Sequence, residues 1–174
     1  MSRRKIILVS GLVGSGTSRI SESLHRSGVE MVVTMMPPPP GMKTYLDWED
    51  FVYVAWCGLS TFTTGEPGRV RDYLEYRFKR SPIWGVKSPF LLPHLDLWRR
   101  WAKPWHAELW LLLSQRAFDD CQASIRKWLD PAPQARDSLL TWNEKAREFW
   151  QRESGEARLV PFGWEQLPIF IGDT

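Results

Sequence analysis

Cysteine is scarce in this chain. Only Cys57 and Cys121 occur in 174 residues, which excludes a disulfide framework and any metal-type cysteine spacing and points to a reducing compartment. Long apolar runs are lacking too, and none approaches the roughly 20 residues that a bilayer-spanning helix needs. The basic start, Met1 to Lys5, is followed by only four apolar residues, Ile6 to Val9, before Ser10-Gly11. A signal peptide carries an apolar core of about 7–15 residues, so the expectation is a cytoplasmic protein with no membrane span. Charge of one sign is also missing: 23 Lys and Arg stand against 20 Asp and Glu, a net charge of +3. The basic residues are dispersed, and neither fact suits a nucleic-acid surface. With 43% hydrophobic and 25% charged residues, disorder is excluded. No internal repeat or change of composition divides the chain, so residues 1–174 are read as a single domain.

What the chain does have is tryptophan, eleven in all. Most are expected to fill a core, and the rest leave room for an apolar interface in a homo-oligomer. The first 28 residues carry the strongest local pattern. A β-branched run over residues 6–9 ends in Ser10-Gly11, the glycine-rich stretch 11–18 follows, and residues 19–26 form a helix with Ile20 and Leu24 on one face and Gly28 as its cap. Further strands are expected over residues 29–36, 83–86, 108–113 and 158–161. Helices are expected over 47–59, 69–79, 95–101, 118–129 and 136–152, the last with Leu139, Asn143, Ala146 and Trp150 on one stripe. Pro37 to Pro40 make a stiff loop, either a plain rigid connector or a pocket wall, and residues 61–68 are rich in turn formers.

This alternation predicts an α/β fold: a three-layer arrangement with a parallel sheet and helices on both faces. Ligands in such sheets sit beyond the carboxyl ends of the strands. The residues at those ends are Gly11 to Ser18, Lys87-Ser88 and Ser114-Gln115-Arg116.

Gly11 to Ser18 has the spacing G-x-x-x-x-G-x-[ST], in which backbone N–H groups and a helix N-terminus surround an anion. A nucleoside-triphosphatase loop needs Lys where Thr17 stands, so hydrolysis of ATP or GTP is disfavoured while a phosphate cradle remains. The stretch Gly11-x-x-x-Ser15-Gly16-Thr17-Ser18 resembles the 5′-phosphosulfate loop of the P-loop-type sulfotransferases that use 3′-phosphoadenosine 5′-phosphosulfate (PAPS). Leu24-His25-Arg26-Ser27-Gly28-Val29 is similar to the continuation of that loop. Met36-Pro37-Pro38 with Trp48-Glu49-Asp50-Phe51-Val52 resembles the acceptor-side segment of many bacterial members. Trp84-Gly85-Val86-Lys87-Ser88-Pro89 is similar to the family's strand ending in Lys-[SD]-Pro. Leu111 to Arg116, with Ser124 eight residues beyond Arg116, looks like the 3′-phosphate site. Leu159-Val160-Pro161-Phe162-Gly163-Trp164-Glu165-Gln166-Leu167 resembles the late strand and Tyr-Glu-x-Leu stretch. The set follows the family's order over most of the chain.

The resemblance implies a sulfotransferase that moves a sulfuryl group from PAPS to a hydroxyl or amine on a small-molecule or carbohydrate acceptor. Gly11, Gly14, Ser15, Gly16, Thr17 and Ser18 would hold the 5′ side of the nucleotide. Arg116, a planar permanent cation at a strand end, and Ser124 would hold the 3′-phosphate. Lys87 would steady charge on the leaving phosphate, and Glu49 would act as the base, with the acceptor against Trp48 or Trp56. The residues alone leave other roles open: an ion pair for Lys87, a solvated helix face for Glu49, and an ion pair with Asp119 or Asp120 for Arg116. Gly14 stands where the family's loop carries Arg or Lys, a feature that favours a nucleotide-binding relative without turnover. A P-loop nucleotide or nucleoside kinase is the alternative enzyme.

Overall fold

The computed structural model describes residues 4–35, 48, 50, 67–128 and 133–161. Four strands, β1 (Lys5–Ser10), β2 (Ile83–Lys87), β3 (Glu108–Gln115) and β4 (Arg158–Pro161), form one sheet in the order β2-β1-β3-β4. Every pairing is parallel, with Lys5 opposite Ile83 on one side and Glu108 on the other. The α/β class expected from the alternation is therefore present. Among the described residues five α-helices accompany the strands: α1 (Thr17–Arg26), α2 (Pro67–Arg80), α3 (Leu95–Ala102), α4 (Phe118–Trp128) and α5 (Pro133–Glu153). Among the described residues, no helix is long and apolar enough to cross a membrane.

β1 explains the layering. Its side chains alternate between two faces, and both sets are buried, as a central parallel strand requires. Ile6 and Leu8 join a cluster with Val70, Tyr73 and Leu74 of α2, Leu95 and Trp98 of α3, Cys121 of α4, and Trp142 and Ala146 of α5. Ile7 and Val9 join a second cluster with Ile20 and Leu24 of α1, Val29, Met31 and Trp48. Every tryptophan whose side chain is described is buried or half-buried, in keeping with a packing role for most of them.

One local expectation needs correction. Residues 29–35 form no regular strand; only single bridges occur, Glu30 with Trp84 and Met35 with Asp50. Side chains take the backbone groups that a ladder would use. Asp50 Oδ1 accepts from the Val33 and Thr34 amides at 3.3 and 3.2 Å, and Arg77 donates to the Glu30 carbonyl. A 3₁₀ turn links β2 to α3. Ser88 Oγ accepts from the Phe90 amide at 3.2 Å and caps a 3₁₀ helix, Pro89–His94. The proline connector, the turn-rich residues 61–66, the expected helix 47–59 apart from Trp48 and Asp50, and the stretch after Pro161 lie outside the described residues.

Candidate functional site

The glycine loop leaves β1 at the carboxyl edge of the sheet and enters α1 with Gly16 at the N-cap position. The Ser15 amide donates to the Leu12 carbonyl at 3.1 Å, closing a turn. No side chain caps α1; the Arg19 amide donates to the Gly16 carbonyl at 3.0 Å, and the amides of Thr17 and Ser18 ahead of it keep no acceptor within the helix. Ser15 is 1% exposed, and its Oγ has no hydrogen-bond partner among the described residues. A buried hydroxyl normally finds a partner, and an unpartnered one in a glycine loop at a helix N-terminus is placed to donate to an anion. The loop is also tightly floored: a Cβ on Gly11 would lie 2.7 Å from Ser15 Oγ and 3.1 Å from Ser114 Cβ.

Strand ends bring the other candidates to the same edge. Lys87 lies opposite Val9 at the end of β2 and is 4% exposed. Next to it the Ser88 amide donates to the Val9 carbonyl at 3.1 Å, and Ser10 Oγ donates to the Ser88 carbonyl at 2.8 Å. At the end of β3, Ser114 Oγ donates to the Ser15 carbonyl. Arg116, half-buried, donates from Nη1 to the Gly14 carbonyl at 2.7 Å. Ser124 on α4 is half-buried, and its Cβ would lie 3.2 Å from a Cβ on Gly14. Arg116 and Ser124 therefore flank one loop residue from β3 and α4. Thr17 is buried and Ser18 half-buried in the first turn of α1, while Arg19 is exposed.

Gly14 is fixed by geometry. It has φ +84°, and a Cβ there would lie 2.6 Å from the Cys121 carbonyl oxygen of α4. No basic side chain fits at this position without moving α4 or the loop.

Asn143 is the part of the site that sequence reading missed. From α5 its Oδ1 accepts from the Val13 amide at 2.8 Å and its Nδ2 donates to the Val13 carbonyl at 2.9 Å. Asn143 is wholly buried, so one amide side chain replaces a strand partner for the middle of the loop. A polar residue on an otherwise apolar helix stripe was the available signal, since such a residue needs a buried partner. Trp150, two stripe positions further, donates from Nε1 to the Ser114 carbonyl at 3.2 Å. The helix holds both the loop and the strand end beside it.

On the acceptor side, Glu49 and Trp56 lie outside the described residues. Trp48 is a core residue, 9% exposed, with its ring 5.1 Å from that of His25, so it packs against α1 instead of lining an open surface. Asp50 is fully buried and ion-paired with Arg77 at 2.6 Å. Cys121 has its thiol pushed up to about 11 by burial, with Asp120 adding to the shift and Arg116 opposing it; this thiol is no nucleophile at neutral pH. Compared with known proteins, the chain matches no protein-family model and no curated protein sequence.

Proposed function

We propose that the chain binds 3′-phosphoadenosine 5′-phosphosulfate in the glycine loop and acts as a sulfotransferase-type protein on a hydroxyl or amine acceptor. The observation that carries this reading is the buried, unpartnered Ser15 hydroxyl in a loop whose neighbour, Gly14, is flanked by Arg116 and Ser124. Gly11 and Gly14 to Ser18 would hold the 5′ side, and Arg116 with Ser124 the 3′-phosphate. The bound nucleotide would supply an activated sulfuryl group. Lys87 would offset charge on the phosphate side, in a water-poor position where a cation acts strongly, and Glu49 would take the acceptor's proton. Thr17, in place of a P-loop lysine, argues against the kinase alternative.

A second reading rests on Gly14. Because the Cys121 carbonyl occupies the space of any side chain there, the basic residue of the family's loop has no place in this fold. That supports a relative that binds the nucleotide without turning it over.

Calorimetric titration with 3′-phosphoadenosine 5′-phosphate, AMP and ATP, without magnesium, tests the ligand class. The expected order is 3′-phosphoadenosine 5′-phosphate well ahead of AMP. Arg116→Ala should weaken the former at least about tenfold, roughly one charge-assisted hydrogen bond, and leave AMP nearly unchanged. Ser15→Ala should weaken both. Equal losses for the two ligands on Arg116→Ala would remove the 3′-phosphate assignment, and magnesium-dependent ATP binding would favour the kinase. Labelled PAPS with phenolic and sugar acceptors then separates transfer from binding alone.

A further inference from the structure

The opposite end of the sheet carries a groove. Arg4 precedes β1, and its carbonyl accepts from the Glu108 amide at the start of β3 at 2.9 Å, while its guanidinium donates to the Trp105 carbonyl at 3.3 Å. The corner that follows α3 therefore lies at the amino ends of β1 and β3, away from the glycine loop. Between this corner and α2 runs a groove of about 500 Å³ lined by Arg71, Leu74, Arg100, Trp101, Pro104 and Trp105.

We propose that this groove is a binding site for a small organic anion: a flat apolar body carrying a carboxylate or a sulfonate-like group. Its volume falls in the range of roughly 300–1,000 Å³ typical of small-molecule sites, which is too small for a folded partner. The charge is one-sided. Arg71 and Arg100 are exposed, and neither has an ion-pair partner among the described residues. The nearby acids make their ion pairs with other cations: Glu75 with Lys79 at 2.7 Å, Asp96 with Arg99 at 2.7 Å and Glu153 with Arg99 at 2.7 Å; Arg71 is the weaker of the two cations that lower the Glu75 pKa and makes no ion-pair contact with it. Two guanidinia in a lining that holds no carboxylate favour a planar oxyanion, which they can grip through paired N–H donors.

The indoles supply the apolar part and are held in place before any ligand arrives. Trp105 packs on Phe78 with centroids 5.4 Å apart and carries Arg4 5.7 Å above its ring. Trp101 meets Trp98 edge-on at 5.7 Å. Both indoles are only half-buried, so aromatic surface remains for stacking. A fixed aromatic floor reduces the ordering entropy lost on binding. A cationic ligand is disfavoured by the two arginines.

The test titrates the full chain by calorimetry with naphthalene-2-carboxylate, naphthalene-2-sulfonate and the neutral isostere naphthalene-2-carboxamide. The expected result is submillimolar binding of one or both anions, with the carboxamide at least about tenfold weaker, the factor of one charged hydrogen bond. Arg71→Gln and Arg100→Gln, both on exposed side chains and checked for an unchanged melting temperature, should each weaken the anion about tenfold. Preference for the carboxylate or for the sulfonate identifies the head group. Three results would overturn the proposal: no binding of either anion up to about 10 mM, equal binding of the carboxamide, or full affinity in both arginine variants.

Discussion

At the scale of single residues, two glycines with nearly the same backbone separate conformational strain from crowding. Gly14 has φ +84° and Gly28, at the end of α1, has φ +93°. Nothing lies within 4 Å of a Cβ built on Gly28, whereas one on Gly14 would meet the Cys121 carbonyl at 2.6 Å. Gly28→Ala should therefore cost only the left-handed penalty, about 1 kcal/mol. Gly14→Ala adds a backbone collision that a carbonyl in mid-helix cannot relieve by changing rotamer, so the loss should be at least about twice as large. Gly14→Lys, which adds the charge carried by the sulfotransferase loops that this stretch resembles, should be no better than Gly14→Ala. Urea unfolding of the three variants checks this, and equal midpoints for Gly14→Ala and Gly28→Ala would show that α4 yields freely. The comparison also bears on function. If Gly14→Lys were well tolerated and raised nucleotide affinity, the fixed-loop argument for binding without turnover would fail.

At the scale of elements, a buried polar cluster binds α2, β2 and the segment after α1 together. Arg77 and Asp50 are both wholly buried and meet at 2.6 Å. Tyr73 donates to Asp50 Oδ2 at 3.1 Å, Arg77 donates to the Gly85 carbonyl of β2 at 3.1 Å, and the guanidinium lies 4.8 Å from the Trp84 ring centroid. Removing one partner of such a pair leaves a desolvated charge and typically costs about 3–5 kcal/mol. Arg77→Met should show that loss, with Asp50→Asn milder because its amide oxygen still accepts from Val33 and Thr34. The double variant should be more stable than the sum of the single losses predicts, since no lone charge remains; strict additivity in urea unfolding would mean the two residues act independently. This cluster also marks where sequence reading stopped. Alternating apolar runs and turn residues made β1, β2, β3, β4 and the described helices legible, because burial has a period. The interval from Asp50 to Arg77 is 27 residues and that from Val13 to Asn143 is 130, and no periodicity encodes which distant polar group satisfies another. For the same reason residues 29–35 read as a strand: their apolar character is real, but Asp50 and Arg77 hold backbone groups that a neighbouring strand would otherwise pair.

At the scale of the whole molecule, the loop residues were legible as a motif, and the strand order that gathers them at one edge was not. With β1 between β2 and β3, the ends carrying Gly11, Lys87 and Arg116 become neighbours, and the packing of α4 and α5 closes around the loop. Cys121 reports on that closure. It is wholly inaccessible, its thiol is pushed from 9.0 to about 11 mainly by burial, and its carbonyl abuts Gly14. The folded state thus holds the proton more tightly than the unfolded chain. A raised folded pKa contributes stability that is complete below the unfolded value near 9 and is lost as pH climbs through the folded value. Between pH 9 and about 11 the unfolded thiol ionises first, so stability should fall with pH, and Cys121→Ala should show a shallower fall over the same window. The absolute stability of the variant does not matter, because the measurement is the slope of the urea midpoint against pH for each protein. Other alkaline groups contribute alike to both and cancel in the difference. Identical slopes would mean that water reaches the thiol in the native state, and with it the seam between α4 and the glycine loop. A shallower slope in the variant would show that seam closed in solution, the condition under which Gly14 is denied a side chain.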